Sequence, residues 1–154
     1  MVKDMAGVCS GSWSRQQVDE FLVAVTVPIR LACTGADGFP RVVSLWFQYQ
    51  EGGIHCVTHQ DSKLVALLRR EQRVGFEVSP NDPPYHGVRG QGMATLQPLG
   101  EADTLAVLLE RYLGGLESGL AKWLLSRSHE EILVRIDPTR LFSWDYRERM
   151  ADLG

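Results

Sequence analysis

The chain has 154 residues, 44% of them apolar and 23% charged, and carries a formal net charge of −3. That is one domain's length with an ordinary soluble composition, and mild acidity argues against a broad nucleic-acid surface. No apolar run approaches membrane-spanning length, and Met1-Val2-Lys3-Asp4 lacks the hydrophobic core of a signal peptide, so a cytoplasmic protein is expected.

Residues 1–12 carry glycine and serine without periodicity and are expected to form a loose N-terminal segment, leaving a single domain over 13–154. Ser14-Arg15-Gln16-Gln17 is a capping-box pattern, and Val18, Phe21, Leu22 and Val25 follow on one face. A first helix therefore runs from there and ends before Pro28. Ile29 to Thr34 reads as a strand, Gly35-Ala36-Asp37-Gly38 as a tight turn, and Arg41 to Gln48 as a second strand. In that second strand Val43, Leu45 and Phe47 share one face and Val42, Ser44 and Trp46 the other. Glu51-Gly52-Gly53 turns the chain back into a third strand, Ile54 to Thr58, and the three are expected to form a meander.

Thr58-His59-Gln60-Asp61 is a polar turn, after which Leu64, Val65, Leu67 and Leu68 recur at helical spacing. Asp61 or Ser62 suits the N-cap, which puts Lys63 in the first turn. A hydroxyl, a lysine and free backbone N–H groups at the positive end of a helix dipole suit a phosphate. An ordinary capped helix with a solvated lysine has the same pattern.

Val74 to Val78 reads as a fourth strand, and the proline-rich stretch Ser79 to Gly87 as a loop carrying Tyr85 and His86. A fifth strand, Val88 to Leu96, places Gly90, Gly92 and Ala94 on one face. Glycines so placed admit another backbone or a flat ligand, or serve barrel curvature. A helix follows Glu101, with Leu105, Leu108, Leu109 and Tyr112; it breaks at Gly114-Gly115 and is followed by a shorter helix from Leu120 to Arg127. Ile132 to Ile136 is a sixth strand, stopped by Asp137-Pro138, and Leu141 to Tyr146 a seventh. Cys33 and Cys56 sit inside apolar strands, where a buried thiol is the common case, and Cys9 lies in the N-terminal segment. Many antiparallel strands with few helices indicate a mainly β fold with flanking helices, a closed or partly closed barrel.

From about residue 15 to 146 the chain resembles the FMN-binding split-barrel family that includes pyridoxamine 5'-phosphate oxidase. The resemblance rests on Arg41-Val42-Val43-Ser44-Leu45-Trp46, on Val57-Thr58 leading through Ser62-Lys63 into a helix, on Val88 to Ala94, and on a late Trp144. It implies that Arg41, Val42, Val43, Ser44, Leu45 and Trp46 line a flavin, that Thr58, Ser62 and Lys63 hold its phosphate, and that Trp144 completes the pattern. It also implies a homodimer with two cofactor sites at the interface. Arg41 and Lys63 are the charges best able to balance a phosphate dianion.

Two departures bear on activity. The oxidase has a substrate-phosphate lysine where this chain has Trp46, and its C-terminal arginine/histidine signature is absent from Phe142–Met150. Vitamin B6 phosphate oxidation is therefore not the expected reaction. The expectation is an FMN-dependent oxidoreductase acting by hydride transfer on a small molecule, with catalytic residues unassigned. Two other readings keep the fold. One is a deazaflavin-dependent reductase, with Arg69, Arg70 and Arg73 meeting an acidic tail; the other is a non-enzymatic flavin or haem binder. Tyr85 and His86 are candidates to cover a substrate or supply a proton.

Overall fold

The computed structural model describes residues 7–151. Of the N-terminal stretch expected to be loose, residues 1–6 lie outside the described residues, and Val8–Gly11 forms a strand, β1. The helix α1, Arg15–Ala24, is capped as the sequence requires: Ser14 Oγ accepts from the Gln17 N–H, and the Gln17 side chain accepts from the Ser14 N–H. There follow β2 (Ile29–Thr34), β3 (Pro40–Leu45), β4 (Gln48–Gln50), β5 (Gly53–His59), α2 (Lys63–Arg70) and β6 (Arg73–Val78). The long strand β7 (His86–Pro98) leads to α3 (Thr104–Leu113), α4 (Gly119–Ser126) and a 3-10 turn, Ser128–Glu130. The chain then runs through β8 (Glu131–Asp145) into α5 (Arg147–Ala151).

All eight strands belong to one sheet, ordered β3-β2-β6-β7-β8-β5-β4, with β1 added in parallel to β8. The two ends of this order, β3 and β4, are consecutive in the chain. Leu45 and Gln48 are separated only by Trp46 and Phe47, which limits their Cα separation to about 11 Å. A sheet whose opposite edges are tied by two residues must curl, and this one is a split barrel. The expected three-stranded meander is thereby corrected. β2 pairs with β3 and β4 with β5, but the two hairpins lie at opposite ends of the sheet order.

A second correction concerns β8. Asp137-Pro138 does not stop it, because Thr139 is an extra residue against β7: Gln91 pairs with Arg140 and Gly92 with Pro138. On the other side of β8, pairing with β5 ends at Ile136 and pairing with β1 begins at Arg140. Pro138 thus sits in a gap where no ladder donor is required. The glycines of β7 serve this crossing. A Cβ on Gly92 would lie 2.4 Å from the Asp137 carbonyl oxygen, and one on Gly90 2.4 Å from that of Arg140 and 2.7 Å from the Phe76 ring. Of the alternatives the sequence left open for these glycines, another backbone, joined by a core ring, fills the space.

The barrel interior is apolar. Ile29, Leu31, Phe47, Ile54, Cys56, Val78, Val88, Val134, Ile136 and Leu141 are fully buried there with Val18 and Leu22 of α1 and Val65 and Leu68 of α2. A second cluster forms outside, where Leu105 and Leu109 of α3 and Ala121 of α4 pack with Leu133 of β8, against Trp46 and Val57. Among the described residues no helix is long and apolar enough to cross a membrane.

Candidate functional site

The barrel is closed by chain connectivity at Trp46–Phe47 but not by hydrogen bonds, and that discontinuity makes the site. β4 pairs with β5 in the register Gln48 to His55 and Gln50 to Gly53. Continued backwards, the register would set Trp46 against Val57 and Leu45 against Thr58. β3 instead leaves β5 and pairs with β2 alone. Ser44, Leu45, Trp46 and Val57 line the gap with Leu105, Leu108, Leu124 and Glu131, enclosing a groove of about 250 Å³.

The link itself is held from outside. Trp46 stacks on Tyr112 of α3 with centroids 5.3 Å apart and planes at 6°. The Tyr112 hydroxyl accepts from the Phe47 N–H at 3.2 Å and donates to the Val27 carbonyl at 3.0 Å. Arg111, next to it, donates to the carbonyls of Leu22, Val23 and Val25 at the C-terminal end of α1, with its guanidinium 5.2 Å from the Phe47 ring centre. Phe47 faces the core and Trp46 the groove, as period-two alternation requires.

Thr58, Ser62 and Lys63 follow from β5. The Thr58 hydroxyl donates to Ser62 Oγ at 3.2 Å, and Ser62 Oγ accepts the Val65 N–H as the N-cap of α2. Lys63, the first helical residue, is exposed and has no ion-pair partner among the described residues. Its N–H and that of Leu64 lie in the first turn, where no intrahelical acceptor exists. Two hydroxyls, first-turn N–H groups and a free ammonium are a donor set that fits a phosphate. The adjoining turn is fixed by His59. Its Nδ1 accepts the Asp61 N–H at 3.1 Å, which leaves the proton on Nε2, facing Glu130 Oε2 at 3.5 Å. Arg127 holds Glu130 at 2.7 Å, and through that bond keeps its carboxyl below the usual glutamate range.

The other residues expected at the site are placed as follows. Val43 packs against the barrel core, and Val42 points outward, 68% exposed. Arg41, half exposed, donates to Asp37 at 3.1 Å across its own hairpin, which holds the Asp37 carboxyl low. Trp144 is not brought to the groove within one chain. Thr58 pairs with Ile132 at one end of β8, and Trp144 lies twelve residues further along the strand, about 40 Å of contour. There it pairs with Gly87, beside Arg89, whose guanidinium lies 4.5 Å over Phe142 and 5.7 Å from the Trp144 ring centre.

His86 belongs to that same end. Its ring packs with Trp13 and Phe21, and Nδ1 is 3.1 Å from the Pro84 carbonyl, so no proton from it reaches the groove within one chain. Of the arginines considered for an acidic tail, Arg70 donates to the Ala36 carbonyl and Arg73 to Glu71, while Arg69 lines a separate cleft beside Gln72 and Gln97. Residues not foreseen are Glu131 in the groove, Tyr112 behind Trp46, and Arg30, whose guanidinium donates to Ser44 Oγ at 2.7 Å. Tyr112 lies in a segment read only for helical period, Glu131 falls just before the strand read from Ile132, and Arg30 is the one charged residue of a strand read for its apolar run.

No protein-family model matches the chain, and no curated relative matches it in sequence. Solved structures do. A conserved hypothetical protein from Mycobacterium tuberculosis is 27% identical with a TM-score of 0.76, over 90% of this chain and 88% of that one. An F420 reductase is 20% identical with a TM-score of 0.63, over 79% and 94%. A FAD-binding protein from Mesorhizobium loti is 24% identical with a TM-score of 0.59, over 85% and 93%. The chain has the split-barrel fold of pyridoxamine 5'-phosphate oxidase-like proteins.

Proposed function

We propose that this split-barrel chain binds FMN along the open edge of β3 and acts, as a homodimer, as an oxidoreductase on a small molecule. The observation that carries the reading is the continuity of two features. A groove edged by Ser44, Leu45 and Trp46 takes in Val57 of β5, and the next residue is Thr58, whose hydroxyl pairs with that of Ser62 just before Lys63 at the head of α2. Ring site and phosphate site are thus adjacent, in the order one elongated cofactor needs. Arg41 adds a second cation on β3. Its pair with Asp37 is exposed on both sides and weak, so a phosphate dianion competes for it.

When bound, the flavin supplies the hydride chemistry. The chain's own residues do the rest. The leucines of α3 and α4 exclude water from the groove, Tyr112 holds the Trp46 ring in place as one of its walls, and Lys63 and the hydroxyls fix the phosphate end. A groove of about 250 Å³ is smaller than a typical cofactor pocket of roughly 300 Å³ or more, which favours a site completed by a second copy. Exposed Val42 and Met93, with the Arg89–Phe142–Trp144 cluster, lie on sheet surface that α3 and α4 do not cover and offer that copy an apolar face.

The test is mass spectrometry and absorbance of whatever small molecule copurifies. FMN and a flavin spectrum support the reading. Retained deazaflavin, or a Soret band on haem addition with no flavin uptake, would replace it with one of the other two.

A further inference from the structure

The groove between β3 and β5 has a lining unlike the phosphate corner beside it. Leu45, Val57, Leu105, Leu108 and Leu124 make it apolar, and Glu131 is the one ionisable side chain among its lining residues. Glu131 begins β8 opposite His59, at the end of the strand that α3 and α4 cover. The cations beside it, and the one that reaches the groove through Ser44, are committed elsewhere. Arg127 binds Glu130 at 2.7 Å, His59 faces Glu130 at 3.5 Å, and Arg30 donates to Ser44 at 2.7 Å. Among the described residues the Glu131 carboxyl makes no side-chain hydrogen bond or ion pair. Burial raises its pKa, against smaller opposing effects of His59 and Arg127, so the carboxylate is a charge short of solvent and of a partner.

A carboxylate in an apolar groove gains most from an organic cation, and an indole beside it adds a cation–π contribution. Trp46 supplies the indole, held in place by its stack on Tyr112. The volume of about 250 Å³ sets the size: a small molecule with an apolar body and one amine.

We propose that this groove binds a small amine-bearing organic cation, with its ammonium on Glu131 and its apolar body between Trp46 and the leucines of α3 and α4. Within the function proposed above, with the flavin along the open edge of β3 in a site completed by a second copy and the amine on the α3–α4 side of the groove, this names the substrate class of the oxidoreductase. That assignment rests on the flavin reading; the binding itself does not.

The experiment compares two probes of nearly equal shape, benzylamine and benzyl alcohol, titrated calorimetrically into the full-length wild-type protein and into Glu131→Gln. FMN is titrated into a separate wild-type sample. The expected result is benzylamine binding at least about tenfold tighter than benzyl alcohol in the wild type, and equal binding of the two in Glu131→Gln. Equal affinities in the wild type overturn the inference, whatever the variant does. If FMN then still binds, the flavin reading stands alone. A wild-type amine preference that persists in Glu131→Gln also overturns it, because another group then holds the cation. An amine preference lost in Glu131→Gln, with no FMN uptake by the wild type, supports the cation site and removes the flavin reading.

Discussion

Trp46 and Tyr112 stack with ring planes 6° apart, and the Tyr112 hydroxyl also ties the backbone of Phe47 to that of Val27. One side chain of α3 thereby fixes the two-residue link on which barrel closure depends. Tyr112→Phe keeps the stack and deletes the hydroxyl, leaving a partly buried N–H and a carbonyl without their partner. A loss of about 1–3 kcal/mol is expected, measured by urea unfolding. A change under a few tenths would mean that water replaces the hydroxyl and that the link is held by packing alone.

Gly92 and Gly119 make a paired test of where glycine is required. A Cβ at Gly92 meets the Asp137 carbonyl oxygen at 2.4 Å, a backbone atom fixed in the β8 bulge, whereas nothing lies within 4 Å of one at Gly119 in the first turn of α4. Gly92→Ala should cost about 2 kcal/mol or more through overpacking. Gly119→Ala should be neutral, or stabilising by up to about 1 kcal/mol through helix propensity and a less free unfolded chain. Thermal unfolding of both variants decides it, and equal midpoints would contradict the account of β7.

What was legible in the sequence was local. The box Ser14/Gln17 and the cap at Ser62 are written within four residues, and both helices begin where those residues require. The hydroxyl–lysine corner was legible for the same reason. Asp137-Pro138 misled, because a proline inside a strand is normally a stop and the bulge that excuses it is made with β7, more than forty residues earlier. The meander misled because β3 and β4 adjoin in the chain while pairing at opposite ends of the sheet. The groove was out of reach for the same reason. Trp46 comes to the side of the groove that Val57 and Glu131 form only through that curling, and no short-range pattern reports it.

Asp145 gives a pH test. Arg147 grips its carboxylate through both oxygens, Trp13 Nε1–H donates to it at 3.0 Å, and the carboxyl is held well below the usual range, chiefly by Arg147. A depressed folded-state pKa gives stability that is fully present above the unfolded value, about 3.9, and lost as pH falls below it. Wild-type stability should therefore fall between about pH 4 and lower pH, and Asp145→Asn should be less stable at pH 7 with a shallower acid slope. Parallel slopes for the two proteins, by denaturant titration at each pH, would show that this carboxylate does not govern acid unfolding.

The dimer has its own measurement. The chain's mass is 17.2 kDa, and light scattering at micromolar concentration should give twice that. Val42→Lys, placed on the exposed face of β3, should shift the particle towards the single-chain mass without unfolding it. A wild-type protein that scatters as 17.2 kDa would leave Trp144 and the groove with no route to one another.

FMN affinity measured by fluorescence quenching, in the wild type and in the double variant Arg41→Ala/Lys63→Ala, tests the phosphate corner most directly. Two charge-assisted contacts at about 1.5 kcal/mol each amount to roughly a 100-fold loss of affinity, with the circular dichroism spectrum unchanged. Wild-type affinity in the double variant would contradict the site.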